Sequence, residues 1–288
     1  MALTVSKAAW CIAALLLAAC PGKGSSTPRR DAGDAGAITG SAPITDAAVA
    51  TDVTDEGDGD GGSSGAGKGS LTVKVLWPTA PAAVRASPGY TSCHTPRRAR
   101  ARIGTLHGVA GAMVVLDGIP AGKAAPGAKP LRLTMRDCAI DPVASLARLG
   151  GSLEIQTQDV AHSITVVRVG KPWLEDDIKL APVTLASTQL PVLGHTVSVA
   201  LQEPGAIQVA MDGAADDAAW VLVPPHHYAG VTDDVGALGL RDVPPGSYTL
   251  VAWLPPAAGF PEQRAVANVV IKAGEDAEAT LTFAPASP

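Results

Sequence analysis

Aromatic residues are scarce: five Trp, three Tyr and two Phe make up only 3% of 288 positions. So few rings leave little material for a sugar-stacking platform. Charge is also sparse, at 17% of residues, and the net charge is −5. A mildly acidic surface has no field to attract a phosphate backbone, so nucleic acid is excluded as a partner on electrostatic grounds. Long apolar runs are missing too. The apolar run 8–19 falls well short of the ~20 residues a membrane-spanning helix needs. No stretch after residue 70 holds helical periodicity for three turns. No nucleophile elbow, zincin helix or phosphate-binding loop is present. The expectation is therefore a protein that is not an enzyme.

What the chain does contain is 31 Gly and 24 Pro, with Val and Thr gathered in short runs between them. Small β-domains are punctuated in this way. The N-terminus reads Lys7, then the apolar run, then Leu17-Ala18-Ala19-Cys20. This ending is similar to the lipobox of bacterial lipoproteins, in which small residues admit the peptidase and the cysteine thiol is acylated. The resemblance implies a signal peptide over 1–19 and a lipid anchor on Cys20, holding the chain to a membrane surface without spanning it. An ordinary secretory signal is the alternative. Pro21 follows the cysteine, not the aspartate that commonly retains lipoproteins on the inner membrane, which favours the outer membrane.

Residues 20–70 are mostly Gly, Ala, Ser, Thr and Asp, including Asp55-Glu56-Gly57-Asp58-Gly59-Asp60. With almost no large apolar side chains this segment cannot offset the entropy of ordering, and a disordered stalk is expected. The Asp/Gly run lacks the downstream glutamate and flanking helices of an EF-hand, so a solvated spacer is favoured over a calcium loop.

Order is expected from Leu71. The segment Leu71-Thr72-Val73-Lys74-Val75 alternates as a half-buried strand does, and similar runs recur to Phe283. Many short strands imply an all-β, Greek-key β-sandwich region over 71–288. Once Cys11 is removed and Cys20 acylated, Cys93 and Cys138 remain. Two cysteines in an exported domain more often pair than not. The bridge closes a loop of about 45 residues, worth ~4 kcal/mol by chain entropy; two buried thiols are the alternative.

Several segments, in order, resemble exported bacterial proteins that join a cupredoxin-like fold to a carboxypeptidase-regulatory-like (transthyretin-like) β-unit. They are Gly108–Ile119, Leu133–Cys138, Gly151–Ser163, Tyr228–Gly236 and Leu240–Leu250. The resemblance implies a division into 71–225, cupredoxin-like, and 226–288, regulatory-like.

Relatives of this kind bind copper through a histidine after an Asp-x-x-His turn, a later cysteine and histidine, and often a methionine. Thiolate and imidazole hold copper between its oxidation states, and a thioether adds an axial contact. Here Asp159-Val160-Ala161-His162 supplies the first histidine, but Met211 stands at the cysteine position, Ala214 at the second histidine and Asp217 at the methionine. The implied state is a decayed copper site and no cofactor. A Cu(I) site built from His162, Met211 and His195 is the alternative. His162 capping a turn, with Met211 in the core, is the plainest reading.

Three other features carry weaker signals. His226-His227 precede Tyr228, but adjacent strand residues point to opposite faces, so an exposed turn is favoured over a metal site. The run Arg97 to Arg102 reads as a charged edge strand before it reads as an anion-binding face. Asp216-Asp217 and Asp233-Asp234 are expected at turns. The function implied is a non-catalytic envelope lipoprotein with a protein or glycan partner; periplasmic copper handling or electron transfer is the alternative.

Overall fold

The computed structural model describes residues 67–85, 89–91, 94, 96, 101–122, 128–175, 181–257 and 260–285. The signal peptide, Cys20, most of the stalk, Cys93 and Arg97, Arg98 and Arg100 lie outside the described residues.

Strand β1 (Gly69–Leu76) shows the alternation read from sequence, with Leu71, Val73 and Val75 inward and Thr72 and Lys74 outward. It pairs parallel with β18 (Asp276–Thr282) and antiparallel with β15 (Ala237–Val243). Opposite this three-stranded sheet lies another, ordered β14 (Ala229–Val231), β4 (Met113–Asp117), β16 (Gly246–Leu254) and β17 (Gln263–Ile271). Inward residues of both sheets form one core, with Trp77 at its end. The Trp77 ring meets Phe260 and Phe283 edge-on at 6.0 and 5.9 Å, and its indole N–H donates to the Ala284 carbonyl.

A second pair of sheets holds a separate core. Five strands run in the order β10 (Val183–Leu190), β9 (His162–Gly170), β12 (Gly205–Met211), β13 (Ala214–Val223) and β7 (Ala144–Leu146). Four run β11 (Thr196–Ala200), β8 (Ser152–Thr157), β5 (Leu131–Arg136) and β6 (Ala139–Asp141). Leu133, Leu153, Ile155, Ile164, Val166, Ile207, Val209 and Val221 interdigitate between them. Two further short strands, β2 (Arg102–Ile103) and β3 (Val109–Ala110), and one helical turn, α1 (Ala82–Arg85), cover the first sandwich.

A division at residue 225 does not follow these sheets. β1 and β4 precede it, yet they pair with β15, β18, β14 and β16, all beyond it. The chain leaves the first sandwich after β4, builds the second over 131–223, and returns through β14 to pair with β4 again. The second sandwich is thus an insertion in the first. The physical reason is that β4 is a central strand, buried on both faces, and needs partners that only the later strands supply.

A third cluster joins the two cores. Met113, Val115, Val251 and Trp253 of the first sandwich pack on Trp173, Ala206, Trp220 and Leu222 of the second. The Trp220 and Trp253 rings meet edge-on at 5.3 Å. Arg264 of β17 donates to the carbonyls of Pro172 and Trp173. No helix among the described residues is long and apolar enough to cross a membrane.

Candidate functional site

The site begins with a tight hairpin. Strands β12 and β13 are joined by Asp212-Gly213, both at positive φ (49° and 77°), with Met211 opposite Ala214. A two-residue turn of that hand matches strand twist and suits the Asp-Gly pair. It carries the Asp212 carboxylate back over the start of β9, where Oδ1 accepts from the Ser163 N–H at 2.8 Å and from its hydroxyl at 3.1 Å. The other oxygen, Oδ2, lies 2.8 Å from Nδ1 of His162.

From the other side comes Asp159. Thr157, fully buried at the end of β8, donates its hydroxyl toward Asp159 Oδ1 and the Val160 carbonyl. The Asp137 N–H, in the β5–β6 turn, donates to Asp159 Oδ2 at 2.6 Å. Asp159 Oδ1 then lies 2.9 Å from Nε2 of His162. His162 itself, the first residue of β9, is only 3% exposed.

Carboxylates accept and do not donate, so both ring nitrogens must carry hydrogens. Below its raised pKa His162 is an imidazolium clamped between two carboxylates. Burial alone would lower its pKa, but the hydrogen bonds to Asp212 and Asp159, with their charges, raise it above the usual histidine range. The same balance holds for the partners. Burial would raise Asp159 and Asp212, and the bonds from His162 and from backbone N–H groups hold both below the ordinary carboxylate range.

Met211 lies on the same inner face as His162. It pairs with Ile164, two residues along β9, and is buried in the second core. His195 is exposed in the loop before β11, and its carbonyl accepts from the Thr157 N–H. The donors do not suit copper. A metal needs the lone pair of a neutral imidazole, and each nitrogen of His162 faces a carboxylate that would accept its hydrogen. No group of three or more His, Cys, Asp or Glu that could hold a metal occurs among the described residues. The sequence reading placed Asp159 in the turn before His162 but missed Asp212 as its partner; the Asp212-Gly213 pair is a hairpin signal that could have placed it at a turn.

The remaining candidates fall elsewhere. His226 is buried, not in an exposed turn. Neither of its ring nitrogens has a hydrogen-bond partner of good geometry, although the Leu116 carbonyl is near. Burial lowers its pKa, aided by His227. His227 stacks on Tyr228 at 3.9 Å. Asp233 caps the turn before β15 by accepting from the Val235 and Ala237 N–H groups, and Asp234 pairs with Arg102. Asp216 and Asp217 lie within β13, because the two-residue turn lets the strand start at Ala214.

No family model matches the chain, and no curated protein matches it. Among solved structures the chain is similar to a purple cupredoxin from Nitrosopumilus maritimus. Identity there is 14%, covering 32% of this chain and 98% of that one, with a TM-score of 0.26. It is also similar to auracyanin from Roseiflexus castenholzii, at 17% identity, 34% and 100% coverage and a TM-score of 0.25. The reduced Cu(I) form of an amicyanin mutant gives 11% identity, 38% and 97% coverage and a TM-score of 0.25. The fold class is all-β, in two sandwiches. Likeness at this level carries no conclusion about a ligand.

Proposed function

We propose that this chain is a non-catalytic lipoprotein of the bacterial cell envelope. A lipid anchor on Cys20 and the stalk hold it out from the membrane, with the outer membrane favoured. Its β-sandwich region serves as a binding or structural module for a protein or glycan partner. The position that holds copper in proteins it resembles is instead a charged strut. One observation carries this reading: both nitrogens of His162 face carboxylates, at 2.8 and 2.9 Å. A protonated imidazole fixed in this way ties the β8–β9 turn to the β12–β13 hairpin and gives a metal nothing to bind.

The test is titration of the full mature chain with Cu(I) and Cu(II), beside His162→Ala and Met211→Ala. The reading predicts no tight 1:1 binding in any of the three. Tight binding to the native chain, lost in both variants, overturns it in favour of copper handling. The anchor is tested separately, since Cys20→Ala should lose partitioning into the detergent phase.

The Cys93–Cys138 bridge belongs to the same proposal. Thr91 Oγ1 donates to the Asp137 carbonyl at 3.3 Å, which brings the chain two residues before Cys93 against the residue before Cys138. A free-thiol assay on denatured, unreduced protein should find neither thiol; finding both removes the bridge.

A further inference from the structure

The inserted sandwich is joined to the first by two crossings of the chain. The outgoing one leaves β4 through Ile119-Pro120-Ala121-Gly122, and the returning one runs from β13 through Pro224-Pro225-His226-His227 toward β14. The Gly122 N–H donates to the Pro225 carbonyl at 2.9 Å and ties the two crossings together. His226 stands at that tie, where a methyl group on Gly122 would be in van der Waals contact with its Cα and Cβ. Two residues on, the Tyr228 carbonyl accepts from the Leu116 N–H at 3.1 Å and fastens the returning chain to β4.

The place suits only a neutral ring. His226 is 8% exposed, both of its ring nitrogens are sealed from solvent, and neither makes a well-formed hydrogen bond, the Leu116 carbonyl being near. The outgoing crossing brings no ionisable side chain. The charged and titratable groups around the ring are Asp117 at the end of β4, its neighbour His227, and Tyr228, whose ring lies 5.8 Å away and whose hydroxyl donates to the Asp242 carbonyl. Asp117 attracts an imidazolium and His227 repels one. Burial outweighs the attraction, so the pKa lies below the usual histidine range. A charge placed here goes uncompensated while the crossings stay together.

We propose that His226 is an acid-operated latch on the joint between the two sandwiches. Protonation of its ring parts the two crossings and loosens the packing of Ala229 and Val231, on β14, against the cluster of Trp173, Trp220 and Trp253. In the parted form the histidine is solvated and takes up its proton below about 6.5. Parting is therefore favoured as pH falls from that value, and the gain levels off below the pKa of the closed form. Between pH 7.5 and pH 5.0 the opening equilibrium rises by at most about 30-fold. His162, whose pKa is raised, keeps its strut closed as the pH falls. The latch rests neither on the role given to His162 nor on the lipid anchor.

The test is amide exchange of the full mature chain carrying Cys20→Ala, at pH 7.5 and pH 5.0, with rates corrected for the intrinsic effect of pH. The Leu116 and Gly122 N–H groups should lose up to about 30-fold of their protection at pH 5.0. Val75, bonded to the Gly236 carbonyl in the first sandwich, and Leu201, bonded to the Gly151 carbonyl in the second, should keep theirs. The loss should level off where the His226 ring itself titrates by NMR, below the usual histidine range. It should vanish in His226→Leu and His226→Gln, each checked for a native circular dichroism spectrum. On the native chain alone, unchanged protection at Leu116 and Gly122 overturns the proposal, as does an equal loss at Val75 and Leu201, or a ring that titrates at about 6.5 or above. A loss that persists in either folded variant overturns it too.

Discussion

Oδ2 of Asp212 lies 2.8 Å from Nδ1 of His162, joining a hairpin turn to the first residue of a strand 50 positions earlier. With Asp159 on the opposite nitrogen, the relationship makes stability depend on pH in both directions. His162 has a raised pKa, so its contribution is complete below about 6.5 and is lost as pH rises through the folded value. Asp159 and Asp212 have lowered values, so theirs is present above about 3.8 and is lost as pH falls through the folded values. The triad therefore stabilises most between these limits. Urea unfolding at pH 5.5 and pH 8.5 should show a drop at the higher pH that His162→Gln abolishes; an equal drop in the variant refutes the assignment.

The two carboxylates should not be equivalent. Asp159 is more buried, with 18% of its side chain exposed, and it also accepts from the Asp137 N–H and the Thr157 hydroxyl. Asp159→Asn should cost about 2 kcal/mol, the range for hydrogen bonds to charged groups. Asp212 has half its side chain in solvent, and asparagine tolerates the positive φ of its turn. Asp212→Asn should cost only about 1 kcal/mol after screening. Chemical denaturation of both variants at pH 5.5 gives the ranking.

His226 should act in the opposite sense to His162. Burial without good hydrogen bonds lowers its pKa, so the unfolded chain takes up a proton below about 6.5 while the folded chain resists. Stability is lost as pH falls from that point toward the folded value. His226→Leu should therefore flatten the stability loss between pH 6.5 and pH 5. A steeper loss in the variant contradicts the burial argument.

Much of the fold is legible in the sequence because its strands alternate. Leu71–Val75 exposes every second residue, and the pattern names the buried face directly. β10 is the strand the pattern hides. Val-Thr-Leu-Ala-Ser-Thr-Gln-Leu has no alternation, and only Leu190 is fully buried. The insertion of one sandwich in the other is equally hidden. Nothing in Met113–Asp117 says that its partners lie more than a hundred residues later. At the site, His162 is visible from its spacing to Asp159, but Asp212 is not. Its approach depends on the pairing of β12 with β9, a register that local sequence does not encode.

The insertion predicts how the chain can be cut. A fragment ending at 225 holds β1 and β4 without their partners, and one starting at 226 lacks both strands. In the first, β1 and β4 should lack amide-exchange protection while the second sandwich keeps its own; the second fragment should remain unfolded. A fragment over 128–225 holds all nine strands of the second sandwich and should fold alone, less stably than in the whole chain. The loss follows from exposing Trp173 and Trp220, which pack on Trp253 and its neighbours. A folded 226–288 fragment contradicts the strand pairing.

The most direct test of the central claim is the protonation state of the His162 ring at pH 7, read from long-range proton–nitrogen NMR of the full mature chain. The account predicts two protonated nitrogens with the shifts of an imidazolium, unchanged by one equivalent of Cu(I). A neutral ring, or a ring nitrogen whose signal shifts on adding the metal, contradicts it and restores His162 as a ligand.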